Sequence, residues 1–251
     1  MRLLDVEHLT VAYGAVIAVD DVSLAVDRGE IVGLIGPNGA GKSSLIDALT
    51  GAIPDRRGTV TFDGRSLNSL RPHRVARAGL SRTFQSVELF DDLTVLENVQ
   101  VAADRSRWWV RLRDLVLPSH ERANDDVVWA IDLCELSAVT TRLPRELSHG
   151  QRKLAGVARA LASRPAIVLL DEPAAGLDTD ESVAFGRHLR TLPEHGVSVL
   201  LVDHDMELVL GVCDRIYVLE FGRIIASGTP AEVRVDPRVI AAYLGGDDER
   251  D

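Results

Sequence analysis

The chain has 251 residues, 46% hydrophobic and 26% charged, with 20 glycines and 10 prolines, a profile that excludes collagen-like, disordered and low-complexity chains. Its 28 Lys and Arg against 38 Asp and Glu leave a formal charge of -10, so the bulk field opposes nucleic acid and anionic lipid, and any phosphate binding must be local. No apolar run reaches the roughly 18–20 residues that cross a bilayer, and Asp5 falls too early for a signal peptide, so a cytoplasmic protein is expected that meets a membrane only through a partner.

In chain order, residues 3–9 and 16–26 have β character, with turns at Gly14 and at Asp27-Arg28-Gly29. Residues 30–36 are a short apolar run; a glycine-rich turn follows, then a helix over 42–50 stopped by Gly51. Residues 58–64 alternate apolar and polar, the pattern of a half-buried antiparallel edge strand. From about 94 to 147 the apolar spacing is helical, which predicts a helical subdomain inserted into an α/β core. Strands return at 166–170, 197–202 and 215–219, the first two being nearly continuous Val, Ile and Leu runs suited to burial on both faces of a parallel sheet. Gly222 marks a hairpin, and a helix is expected after Pro230 as far as Gly245-Gly246. Cys134 and Cys213 have neither zinc-site nor redox-pair spacing and read as structural thiols.

Chemistry concentrates in the turn Gly36-Pro37-Asn38-Gly39-Ala40-Gly41-Lys42-Ser43, which fits the phosphate-loop pattern G-x-x-x-x-G-K-[ST] between a strand and a helix. The glycines let successive N–H groups point into one concavity, the helix N-terminus adds partial positive charge, and Lys42 can reach β and γ phosphates. Ser43, followed by Ser44, places a hydroxyl for Mg²⁺. A second element, residues 167–173, is an apolar strand ending in Asp171 and Glu172: the first can hold Mg²⁺ through water, the second can polarise water attacking the γ phosphate. The Asn-Lys-x-Asp segment expected for guanine specificity is missing.

With Leu147-Ser148-His149-Gly150-Gln151 about 20 residues before the Asp171 strand, the chain resembles the ATP-binding cassette (ABC) ATPases over essentially its whole length. The resemblance implies a P-loop cassette fold: a RecA-like parallel core with an antiparallel β subdomain at 1–86 and 152–251, and a helical signature subdomain at 87–151. It also implies ATP and Mg²⁺ as ligands and hydrolysis in a two-site sandwich dimer. Tyr13 would stack on adenine, Gln85 would ligate Mg²⁺, Asp178 belongs to the D-loop, and His204 would contact the γ phosphate. Ser148 and Gly150 would reach nucleotide on the opposite subunit; His149 departs from the family's paired glycines.

Further segments, including Ser81-Arg82-Thr83-Phe84-Gln85, Ala174-Ala175-Gly176-Leu177, His204-Asp205-Met206 and Ala241-Ala242-Tyr243-Leu244-Gly245, look like the ATPase subunits of branched-chain amino acid importers. Implied partners are integral membrane permease subunits, a second cassette (identical or paralogous) and, indirectly, a periplasmic or extracellular solute-binding protein; nucleic acid is not expected. The implied location is the inner face of the cell membrane. Leu89-Phe90 reads either as an apolar loop tip that docks a membrane subunit or as subdomain core. The basic, aromatic stretch Arg105 to Arg113 reads as a solvated helix face or a partner-facing surface. Lipopolysaccharide exporters carry a similar ATPase, and a soluble cassette acting on ribosomes or DNA would normally bring a tandem cassette or a coiled-coil insertion. An intact Glu172 and His204 argue against a nucleotide sensor without turnover.

Overall fold

A computed structural model describes residues 1–83, 89–103 and 120–244. In chain order its elements are β1 (Arg2–Tyr13), β2 (Val16–Asp27), β3 (Ile31–Ile35), α1 (Lys42–Leu49), β4 (Arg56–Phe62), β5 (Arg65–Ser66), α2 (Pro72–Ala78), β6 (Leu80–Arg82), α3 (Val95–Ala103) and α4 (His120–Leu133). After these come α5 (His149–Leu161), β7 (Ile167–Asp171), α6 (Thr179–Thr191), β8 (Ser198–Val202), α7 (Met206–Val212), β9 (Arg215–Glu220), β10 (Arg223–Gly228), α8 (Pro230–Val235) and α9 (Pro237–Leu244).

Two sheets form. An antiparallel sheet has the order β2-β1-β4-β5, and a six-stranded sheet has the order β10-β9-β3-β8-β7-β6, parallel except for the β9–β10 hairpin. The apolar runs at β3, β7 and β8 are buried at every residue, as continuous patterns without polar alternation require. Their side chains alternate between two cores. Ile31, Ile35, Val168, Leu170, Val199 and Leu201 face a core shared with α3, α5, α6 and α7. Val32, Leu34, Ile167, Leu169, Leu200 and Val202 face a second core filled by α1 and the antiparallel sheet. The parallel sheet is therefore the middle layer, covered on both faces.

Two local expectations are refined. The strand expected at 58–64 begins earlier and is flanked by β5, so it is not the edge. The C-terminal helix is two helices: Thr229 caps α8, and the chain breaks at Asp236 before Pro237 starts α9. The short α2 and β6 carry no strong sequence pattern. Both cysteines are buried, and burial pushes the Cys134 thiol up to about 12 and the Cys213 thiol upward as well, as expected of structural thiols. Among the described residues no helix is long and apolar enough to cross a membrane.

Helix α6 tests this layering. It buries Phe185 and Leu189 in the first core and leaves Val183 56% exposed. Phe185→Ala is expected to cost about 3–5 kcal/mol, and Val183→Ala less than about 0.5 kcal/mol, as read by urea denaturation. Equal effects would contradict the burial of this helix face.

Candidate functional site

The site lies at the carboxyl ends of β3, β7 and β8, where a parallel sheet leaves a crevice between its loops and helix N-termini. The loop between β3 and α1 is pressed against neighbouring backbone. A Cβ added at Gly36 would lie 2.0 Å from the Leu219 carbonyl oxygen, and one at Gly41, where φ is +104°, 2.2 Å from that of Ala18. Only glycine fits these two approaches. Gly36 and Ala40 are buried, whereas Asn38, Gly39 and Ser43 are exposed and Pro37, Gly41 and Ser44 lie between. The Ala40 N–H donates to Pro37 O at 3.2 Å, and Gly222 N–H donates to Ala40 O at 2.9 Å, so the β9–β10 turn props the loop from outside.

Lys42 is buried and donates to Gly36 O at 2.7 Å and Pro37 O at 3.0 Å, two of its three N–H bonds. Burial lowers its pKa, while the fields of Glu172, Asp171 and Asp203 act in the opposite direction. The ammonium is thus held at the loop, facing carboxylates.

Asp171 ends β7 and is buried; its Oδ2 accepts from Arg82 Nη2 at 2.9 Å, and the same guanidinium pairs with Asp47 on α1. Burial raises the Asp171 pKa, and Arg82 opposes that shift. Glu172 follows in a left-handed conformation at φ 47°, fixed by its N–H to Val202 O at 2.7 Å. A non-glycine residue there is strained, and such strain clusters at sites where a side chain must be aimed. His204 Nδ1 stands 3.9 Å from Glu172 Oε2 and 3.5 Å from Asp203 Oδ1. The structure therefore brings together Lys42, Asp171, Glu172 and His204, whose positions in sequence span more than half the chain. Asp203 was not anticipated: an acid beside a histidine after a buried strand is the only signal it leaves, and a loop acid is ordinarily solvated.

Ser148 is the N-cap of α5, accepting from Gln151 N at 3.2 Å, while Gln151 Oε1 accepts from Ser148 N at 3.1 Å. Leu147 is buried and His149 exposed, its imidazole beside the backbone of Gly176. Glu181 on α6 accepts from Gly150 N–H at 3.4 Å, placing an internal carboxylate at this helix start. Asp178 caps α6 by accepting from Glu181 N at 2.8 Å. Tyr13, at the β1–β2 turn, is 51% exposed, which excludes the core role usual for an isolated aromatic. Leu89 is buried but Phe90 is 48% exposed. Its loop is held by Asn98, whose Nδ2 donates to the Phe90, Leu93 and Thr94 carbonyls at 3.0–3.1 Å. Gln85 and the stretch Arg105 to Arg113 lie outside the described residues.

These groups suit a nucleoside triphosphate with Mg²⁺. The helix N-terminus and Lys42 offer positive charge and donors to phosphate oxygens. Exposed Ser43 and the Asp171 carboxylate are hard oxygen donors, and the described residues contain no cluster of three His, Cys, Asp or Glu that would make an all-protein metal cage. A magnesium ion held chiefly by phosphates and water needs only such a sparse set.

A family model described as ABC transporter matches residues 19–175, and one described as branched-chain amino acid ATP-binding cassette transporter matches 223–249. The chain is 39% identical to the high-affinity branched-chain amino acid transport ATP-binding protein BraF of Pseudomonas aeruginosa, covering 97% of this chain and 98% of that protein. It is 35% identical to the lipopolysaccharide export system ATP-binding protein LptB of Escherichia coli, covering 98% and 99%. Among solved structures it resembles the ADP conformation of an ATP-binding cassette of an ABC transporter, with TM-score 0.86, 32% identity and coverage of 98% and 99%. A dimeric bacterial ABC transporter cassette matches with TM-score 0.75, 26% identity and coverage of 91% and 99%.

Gly41→Ala tests the loop geometry. The added methyl meets Ala18 O in a backbone conformation costing about 1–3 kcal/mol for a side chain, so ATP affinity should fall at least about tenfold. Titration with a fluorescent ATP analogue reads this; unchanged affinity would show that nucleotide does not depend on the loop.

Proposed function

The chain belongs to the ABC transporter family of ATP-binding cassettes, and from that premise we propose that it hydrolyses ATP to drive import of branched-chain amino acids or a related small solute. The observation that carries hydrolysis is the convergence of Lys42, Asp171, Glu172 and His204 on one crevice at the carboxyl edge of the parallel sheet. Support for the importer comes from the match over 223–249 and the likeness to BraF; the likeness to LptB supports the alternative, a lipid exporter.

In this reading the N–H groups of residues 36–44, with Lys42, hold the β and γ phosphates, and Tyr13 stacks on adenine. A bound Mg²⁺ would supply positive charge against the charge that develops on the phosphates. Ser43, Asp171 through water and, as the family resemblance implies, Gln85 would hold it. Glu172 polarises the attacking water, and its strained backbone aims the carboxylate into the crevice. His204, with its side chain 58% exposed at the crevice, contacts the γ phosphate.

Ser148 and Gly150 complete the site of a second cassette, identical or paralogous, which is consistent with the dimeric cassette this chain resembles. Glu181 then gives up the Gly150 N–H to the incoming phosphate. The His149 imidazole stands beside Gly176. We assign 1–86 and 152–251 to the catalytic core and 87–151 to the helical subdomain that meets the permease subunits. Phe90, on the loop pinned by Asn98, supplies an apolar contact there. Attachment to the inner face of the cell membrane is through those subunits, with a solute-binding protein acting on the far side.

Glu172→Gln should bind ATP with near-normal affinity yet lose at least about 100-fold in turnover, because an amide cannot take the proton of the attacking water. In size-exclusion chromatography with ATP the variant should run as a dimer. Turnover within a few fold of the unmodified chain would remove Glu172 from this role.

A further inference from the structure

Asp203 is completely buried, and a carboxylate without water is tolerated only when its oxygens are matched by donors. Its donors come from two separate loops. Oδ1 accepts from the N–H groups of His204 at 2.8 Å and Asp205 at 3.0 Å; Oδ2 accepts from Ala174 N–H at 3.3 Å, two residues beyond Glu172. One side chain therefore joins the segment that carries His204 to the segment that carries Glu172. The same Oδ1 is 3.5 Å from Nδ1 of His204, whose side chain is 58% exposed. An imidazole with a carboxylate on one nitrogen keeps its proton there and presents the other nitrogen outward.

We propose that Asp203 is a positioning residue: it accepts the Nδ1–H of His204 and so fixes which nitrogen, and which face of the crevice, the imidazole offers to the terminal phosphate. The contact shortens from 3.5 Å when nucleotide draws the ring inward, as catalytic hydrogen bonds in ligand-free sites commonly do. This inference rests on the proposed role of His204 at the γ phosphate. Glu172 Oε2, at 3.9 Å from the same nitrogen, is the competing acceptor. Asp203 has the stronger claim because its carboxylate is immobilised by three N–H donors.

A purely structural suture between the loops would lower stability and activity alike, whatever stands at position 204. The test is a double-mutant cycle of Asp203→Asn and His204→Ala in the full chain, read by single-turnover release of radiolabelled phosphate, with ATP affinity and melting temperature measured on each variant. Asp203→Asn is expected to slow release at least about tenfold with ATP affinity within about twofold, and to add less than about twofold when His204 is already alanine. Independent, multiplying losses would overturn the assignment while leaving the reading of His204 in place. If His204→Ala alone leaves turnover unchanged, that reading falls and Asp203 with it. Nitrogen-15 NMR of histidine-labelled Glu172→Ala protein at pH 8, which lacks the competing acceptor, with His204 assigned from the His204→Gln variant, decides the matter even if Asp203→Asn does not fold. A protonated Nδ1 on His204 supports the assignment, and an unprotonated Nδ1 refutes it.

Discussion

The candidate site depends on backbone pressed against backbone around the loop between β3 and α1. Leu219 O stands where a side chain at Gly36 would begin, Ala18 O where one at Gly41 would begin, and Gly222 N–H holds Ala40 O from outside. The turn at Gly222 is tied in its own right, because Asp20 N–H donates to its carbonyl at 2.8 Å and Arg223 pairs with Asp20. Strands β2, β9 and β10 thus set the curvature of a loop that none of them contains. A loop braced in this way can offer its N–H groups to an anion without reorganising, which is what electrostatic preorganisation requires.

Charge is arranged around that loop as a set of mutual constraints. Asp171, Glu172 and Asp203 bring three carboxylates to the ends of β7 and β8, a cluster that would repel itself without cations and N–H donors nearby. Arg82 answers Asp171 and ties it to Asp47 on the phosphate-loop helix; Lys42 faces all three acids; and the half-buried Lys153 on α5 feels Asp203 and Glu172. Lys153 belongs to the helix capped by Ser148, so α5 and the acids at the ends of β7 and β8 share one electrostatic environment. Removing any member leaves another buried charge unmatched, which ordinarily costs more than the pair contributes.

Much of this was legible in the sequence because the relevant signals are local. A strand buried on both faces needs an unbroken apolar run, and β3, β7 and β8 have one; a phosphate loop needs its glycines at fixed offsets, and residues 36–43 have them. Acids ending a buried strand and a histidine after the next could be paired only through family resemblance, since nothing local says that β7 and β8 are neighbours. The structure adds that adjacency, from Ile167 opposite Ser198 to Asp171 opposite Val202. What escaped was either short or dependent on packing. Strand β6 is three residues whose strand character comes from pairing with β7, and α2 buries Val75 alone. Asp203 and Glu181 look like ordinary loop and helix-start acids until the fold places them against His204 and Gly150.

The central claim is that each chain carries two half-sites, the phosphate loop with Lys42 and the signature helix with Ser148, which work only across a pair of chains. The most direct measurement mixes two inactive variants, Lys42→Ala and Ser148→Arg, and records ATP turnover. A symmetric sandwich predicts recovery to about a quarter of the unmodified rate in an equal mixture, because half of the dimers are mixed and each of those has one complete site. A mixture no more active than its separate components, with both variants folded, would contradict a site shared between chains.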